Sequence, residues 1–344
     1  MGQRGAVVAD GTSRLRRVFA RARRHPWRAA GLAVAAGFVL LNFLAYRHAQ
    51  AMLVFSDSGE MPPPPQSLSA WGKLRVLALG VTVPRPEVTR TPRDIGLPSE
   101  TVRFPADDGV TLEAWLFAPP APKGTVLLFH GYSACRSALL AEGKAVVDRG
   151  YAALLVDFRG GGGSDGSVTT LGYQEARDVA AAAAFARARG LPGPLVLYGQ
   201  SMGGAAVLRA VAVHGVEPDA VVVEAVFGRM LGTVRNRFAR MGAPAFPGAE
   251  LLVFWGGVRT GFNPFGHNPE EYARACRCPA LVLHGGADPN ARPEEGRAIY
   301  ENLPGRKEFV LFEGVGHTSL YAAAPDLWAG RVGGFLASLP GRGP

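Results

Sequence analysis

The sequence predicts a mostly parallel, doubly wound α/β domain behind one apolar N-terminal helix, and three observations point that way. Short apolar runs alternate with longer alanine-rich segments from residue 100 onward. One of those runs enters a Gly-x-Ser-x-Gly turn that opens directly into a helix-forming segment. The positive charge is gathered at the start of the chain and not spread along it. With 344 residues, 48% hydrophobic and 19% charged, the chain can bury a full core, which excludes a wholly disordered protein. Its 45 glycines and 27 prolines follow no Gly-X-Y period, so collagen-like and solenoid architectures are excluded as well.

The net charge of +9 invites a nucleic-acid reading until it is located. Residues 1–28 hold eight arginines against one acid, Asp10, and the remaining 316 residues carry only +2. No nucleic-acid partner is therefore expected. Residues 29–45, AAGLAVAAGFVLLNFLA, form seventeen uncharged positions. As a helix they would be about 25 Å long, at the short end of a bilayer core. Trp27 and Tyr46 flank the run as interfacial aromatics would. We expect a basic cytoplasmic leader over 1–28, a transmembrane anchor over 29–46, and the rest of the chain on the exported side, periplasmic or extracellular. Ala49-Gln50-Ala51 resembles a cleavage site, so a cleaved signal peptide is the alternative, although a 28-residue leading region is long for one.

Residues 47–99 read as linker and connector, with a stiff polyproline stretch at Met61–Gln66 and one apolar run, Leu74–Val83, packing loosely on the main domain. From residue 100 the order is regular. Thr101–Phe104 and Thr111–Phe117 flank Asp107-Asp108-Gly109, a hairpin signal. Thr125–Phe129, Ala152–Phe158, Leu195–Tyr198, Ala220–Val223, Leu281–Leu283 and Phe309–Phe312 are apolar without polar alternation, as strands buried on both faces are. Helices are expected near 137–148, 172–189, 202–213, 292–302 and 325–338. Such a β-then-α alternation places the functional site at the carboxyl ends of the strands.

Leu195–Tyr198 runs into Gly199-Gln200-Ser201-Met202-Gly203 and then into Ala205–Val211, the strand–turn–helix setting of a nucleophile elbow. A serine alkoxide needs a base, and the base an orienting acid. Of seven histidines, His25 and His48 flank the apolar helix, His214 ends the helix after the serine, and His267 lies in a glycine- and proline-rich insert. His130 and His284 precede glycines at strand ends. His317 follows the last strand in a loop with glycines enough to swing a ring toward Ser201, and is the expected base. Asp288, after the preceding strand, gives the chain order Ser, Asp, His; Glu224 is its rival. The oxyanion hole is expected from the backbone N–H groups of Met202 and Tyr132. Cys135, Cys276 and Cys278 cannot form a disulfide scaffold, and one Cys-X-Cys pair is poor zinc ligation, so neither metal nor cofactor is expected.

Together His130-Gly131-Tyr132, Asp157-Phe158-Arg159-Gly160 running to Gly163-Ser164-Asp165-Gly166, Gly199–Gly203, Asp288 and His317 resemble the α/β-hydrolase superfamily over residues 100–340. Within it the chain looks like membrane-anchored Bem46/ABHD13-type serine hydrolases and prolyl-oligopeptidase-like esterases. The resemblance implies the α/β-hydrolase fold, Ser201 as nucleophile, Asp288 as acid and His317 as base. It also implies a cap, placed here at about 226–278, where Phe227, Phe238, Phe246, Phe254, Trp255 and Phe262 could line an acyl pocket or merely pack the cap down. Arg229, Arg235, Arg237 and Arg240 read as a solvated basic face. The expected activity is cleavage of an ester, thioester or amide through an acyl-enzyme, on a small-molecule or lipid-like acyl substrate. Acyl transfer by the same triad and a catalytically silent, membrane-anchored binding protein are the alternatives.

Overall fold

The structure, a computed structural model, describes residues 25–59, 63 and 67–340. Most of the basic leader and of the polyproline stretch lies outside the described residues. Eight strands form one sheet: β1 (Glu100–Pro105), β2 (Thr111–Phe117), β3 (Thr125–Phe129), β4 (Ala152–Val156), β5 (Leu195–Gln200), β6 (Ala220–Glu224), β7 (Ala280–Gly285) and β8 (Lys307–Phe312). Their order is β1-β2-β4-β3-β5-β6-β7-β8. The β1–β2 hairpin is antiparallel and β2 pairs antiparallel with β4, whereas β4 through β8 are parallel to one another.

The uninterrupted apolar runs explain this layering. Along β3, Leu127 and Phe129 face one core while Val126 and Leu128 face the other, and β5, β6 and β7 divide their side chains in the same way. One core is covered by the helices Glu175–Ala188 and Met202–His214, the other by Leu140–Val147 and Pro325–Ala337. A strand flanked by helices on both faces has no solvent side, so it needs no polar alternation. β4 stops at Val156, two residues short of the expected run, because Asp157 turns aside into an ion network with Arg136. The chain moves from β3 outward to β4 on one side, then returns to β5 on the other. The crevice at this reversal is where a doubly wound sheet offers a ligand site.

The N-terminal helix, Pro26–Leu53, is long and apolar enough to cross a membrane. Its 28 residues extend beyond the expected 29–46, to about 42 Å. The extension has a packing reason. Ala45, Ala49 and Leu53, spaced for one helix face, are buried against the helix Gly248–Thr260. Trp255 Nε1 donates to Asn42 Oδ1 (3.2 Å), its ring meets Tyr46 edge-on at 5.5 Å, and Arg259 donates to Gln50 Oε1 (2.6 Å). The connector is held more firmly than the sequence implied. Val54 bridges Val168, Ser56 bridges Pro84, Phe55 N–H donates to Ser167 O (2.7 Å), and Phe55 and Val83 are buried. The apolar run at 74–83 begins inside a helix, Ala70–Leu79, whose start is capped by Ser69.

Candidate active site

Ser201 sits between the last residue of β5 and the first residue of the helix Met202–His214, at φ +52° and ψ −113°. A non-glycine residue held there stores about 1–3 kcal/mol of strain, and the surroundings must enforce it. They do so by close approach. A Cβ on Gly199 would lie 2.5 Å from the Gly203 carbonyl carbon, and one on Gly203 would lie 2.3 Å from Phe129 O. Ser201 N–H donates to Glu224 O (2.7 Å), and Ser201 O accepts from Ala205 N–H (3.1 Å), which fixes the turn at both ends.

The structure brings Ser201, His317 and Asp288 together at the crevice. Ser201 Oγ lies 3.1 Å from His317 Nε2, and His317 Nδ1 lies 2.6 Å from Asp288 Oδ2. A carboxylate at Nδ1 makes that nitrogen the protonated one, leaving Nε2 to accept the serine proton. Asp288 is itself fixed, since Oδ1 accepts the N–H groups of Asn290 (2.8 Å) and Ala291 (3.0 Å) and its side chain is fully buried. His317 comes from the loop after β8 and Asp288 from the loop after β7, so the sheet register delivers both.

The rival acid, Glu224, lies elsewhere. Its carboxylate accepts from Tyr198 Oη (2.5 Å), Gln200 Nε2 (2.9 Å), Leu320 N (3.0 Å) and Trp328 Nε1 (3.1 Å), beneath the elbow. Two other histidines of the domain are engaged elsewhere: His284 Nε2 meets Ala291 O at 2.9 Å, and burial pushes His267 down to about 4, which keeps it neutral. Asp157 and its glycine-rich loop act as a clamp outside the crevice. Asp157 binds the Arg136 N–H and guanidinium, and Gly163 N–H donates to Asp157 Oδ2 (2.8 Å), while Arg159 pairs with Asp178 and Asp108.

Tyr132 and Met202 both line the crevice beside Ser201. Met202 is the first residue of its helix, so its N–H has no helical acceptor. The Tyr132 N–H has no acceptor among the described residues. Its direction is set by His130. Burial pushes the His130 pKa down; Phe158 N–H donates to Nε2 (3.1 Å), so Nδ1 carries the proton and donates to Gly131 O (2.8 Å). In a trans peptide the N–H points opposite to the C=O, so fixing Gly131 O on one side turns the Tyr132 N–H to the other.

The crevice opens into a cavity of about 340 Å³ whose walls include Met52, Tyr132, Phe227, Thr233, Arg237 and Asn290. Two of these contributors are not evident from the sequence. Met52 comes from the last turn of the N-terminal helix, and its carbonyl accepts Tyr132 Oη at 2.7 Å. The Ala45, Ala49, Leu53 spacing marks that face, had the helix been extended past residue 46. The basic face expected over Arg229, Arg235, Arg237 and Arg240 is solvated only in part. Arg229 pairs with Glu270 (2.5 Å) and Arg235 with Glu250 (2.6 Å), whereas Arg237 turns inward on the helix Met230–Met241.

Residues 120–253 match the family described as "Serine aminopeptidase, S33". YfhR, an uncharacterised protein of Escherichia coli K12, is 26% identical over 232 residues, covering 65% of this chain and 75% of its own. A zebrafish protein, the lysophosphatidylserine lipase ABHD12 of Danio rerio, is 26% identical over 211 residues, covering 57% of this chain and 54% of its own. Among solved structures, the Pyrococcus furiosus esterase Pf2001 superposes with a TM-score of 0.65 at 24% identity, covering 75% of this chain and 98% of that one. With this sheet and this elbow the chain has the α/β-hydrolase fold, and it is an enzyme similar to the hydrolases named above.

Proposed function

We propose that the enzyme hydrolyses a carboxylic ester through an acyl-enzyme, with Ser201 as nucleophile, His317 as base and Asp288 as orienting acid. The observation that carries this is the continuous path from Ser201 Oγ to His317 Nε2 (3.1 Å) and from His317 Nδ1 to Asp288 Oδ2 (2.6 Å). Ser201 Oγ attacks the carbonyl carbon while its proton passes to His317 Nε2. Asp288 holds the ring and stabilises the imidazolium. The carbonyl oxygen, now negative, sits between the Met202 and Tyr132 N–H groups. His317 returns the proton to the departing alkoxide, and water then repeats the sequence to release the acid. Each oxyanion donor is worth about 2.7–4 kcal/mol of transition-state stabilisation.

Ester chemistry is favoured over an aminopeptidase by the charge of the cavity. An aminopeptidase needs a carboxylate to receive the substrate's terminal ammonium. Among the described residues lining this cavity there is a guanidinium, Arg237, and no carboxylate. The solved esterase and the zebrafish lipase point the same way.

The Pro26–Leu53 helix is a single membrane anchor in this reading, with the arginine-dense leader cytoplasmic and the catalytic domain exported. Retention of the helix is supported by its burial: Ala49 and Leu53 are core residues and Met52 lines the cavity. Cleavage after Ala51 would cut through that packing. Phe246, Phe254 and Val258 of the cap are exposed near the same helix, as expected of a domain that rests on a bilayer. The full chain in detergent should react with a fluorophosphonate and turn over p-nitrophenyl esters. Ser201→Ala should lose both. Equal labelling of the variant would refute the assignment, and product analysis with and without alcohol acceptors would separate hydrolysis from acyl transfer.

A further inference from the structure

Arg237 is a charged group placed in a cavity without a countercharge. No carboxylate and no hydrogen-bond acceptor meets its guanidinium among the described residues. The guanidinium lies over the Tyr132 ring, 5.5 Å from its centre. The residue is half-buried; burial pushes its pKa down, Tyr132 acts in the opposite direction and the nearby Arg240 adds to the lowering, so no carboxylate offsets the desolvation. Desolvating a cation with no partner costs free energy. The two neighbouring arginines that do carry acids, Arg229 and Arg235, face outward. The guanidinium has five donors in a planar fork, a geometry matched to phosphate or carboxylate.

A second cavity gives this cation a direction. An apolar slot of about 50 Å³ lies between the Pro26–Leu53 and Gly248–Thr260 helices, walled by Ala49, Met52, Leu53, Leu252 and Gly256. The helix Met230–Met241 runs along both spaces. Met230 faces only the slot, Val234 faces both, and Arg237 faces only the catalytic cavity. These positions, spaced i, i+4 and i+7, lie on one face, and the first and last are separated by about 10 Å along the axis. One helix face thus grades from apolar to cationic past Ser201.

We propose that Arg237 receives a fixed anion, phosphate or carboxylate, on the leaving-group side of the ester, while the acyl chain enters the slot beside the membrane helix with its first few carbons and runs on outside it. The substrate is then a single-chain amphiphile with an acidic head. This rests on the ester-hydrolase reading above and adds to it the substrate class.

The test compares kcat/KM of the full chain in detergent on three glycerol esters: a long-chain monoacylglycerol phosphate, the monoacylglycerol of the same chain, and acetyl glycerol phosphate. The phosphate-bearing long-chain ester should be preferred over the neutral one by about ten- to a hundredfold, the range of a charged hydrogen-bonded contact. Arg237→Met should collapse that ratio toward one, and Arg237→Lys should restore part of it. Because the readout is a ratio within one preparation, general damage to the fold does not mimic it. Equal rates on the charged and neutral long-chain esters, or a ratio unchanged in Arg237→Met, would overturn the role of Arg237. A preference for acetyl glycerol phosphate over the long-chain ester would overturn the slot. If the ester-hydrolase reading itself were wrong, none of the three would be cleaved by the wild type above the Ser201→Ala background.

Discussion

Glu142 offers a perturbation whose size can be worked from the fold. It sits in the helix Leu140–Val147, almost fully buried, and accepts from Ser319 Oγ at 2.6 Å, two residues beyond His317. Burial first, and then the Glu224 charge, raise its pKa from the ordinary 4.5 to about 7. The fold therefore prefers the protonated form. Its contribution to stability is fully present below about pH 4.5 and is lost as the pH rises through about 7. At about 1.36 kcal/mol per tenfold change, the separation amounts to about 3 kcal/mol. Glu142→Gln keeps an acceptor for Ser319 and cannot ionise, so it should flatten that dependence. Chemical denaturation of both proteins in detergent between pH 5 and pH 9 measures it. The wild type should lose about 3 kcal/mol relative to the variant by pH 9, and the two should converge at the acid end. Parallel curves would mean that Glu142 is ionised in the folded protein throughout, and the burial argument would fail.

Two further outcomes follow from the site. His130→Leu removes the donor that fixes Gly131 O, and misdirecting the Tyr132 N–H should lower kcat toward the roughly 10²-fold cost of one oxyanion donor, with KM little changed; an unaltered kcat would refute His130 as the positioning residue. Gly203→Ala drives a Cβ to 2.3 Å from Phe129 O, so the elbow must shift at a cost of about 1–3 kcal/mol; the melting temperature should fall by several degrees and Ser201 labelling with it, whereas a variant of wild-type stability would refute the packing.

The fold was legible where burial is two-sided. β3, β5, β6 and β7 lie in the centre of the sheet, so their polar residues (Thr125, Gln200, Glu224 and His284) stand at or next to a strand end and leave the apolar run unbroken, and the elbow is legible because two glycines are forced by contact distances of 2.5 and 2.3 Å. Asp288 and His317 could be found by chain order because each follows a strand of the parallel series. Glu224 could be set aside only in three dimensions. A carboxylate at a strand end looks the same in sequence whether it faces a histidine or four donors from Tyr198, Gln200, Leu320 and Trp328. Arg237 was hidden for a similar reason. Four arginines within twelve residues read as a solvated face, and nothing local says that one points inward, because that depends on which side of the helix Met230–Met241 faces the cavity once it packs on the helix Gly248–Thr260.

Met52 shows why the N-terminal helix cannot be treated as a detachable tether. Composition alone ends the apolar segment at residue 45, and a boundary drawn there would leave the last two turns as linker. Those turns bury Ala49 and Leu53, and the Met52 carbonyl holds the hydroxyl of Tyr132, which lines the cavity beside Ser201. The same residue separates the catalytic cavity from the apolar slot and lines both. The element with the composition of a membrane span is thus continuous, through one carbonyl and one side chain, with the wall against which the ester must lie. On the proposed anchored reading, an amphiphile leaving the bilayer along this helix would reach the slot by its tail and the serine by its carbonyl, so that reading expects substrates drawn from the membrane and not from solution.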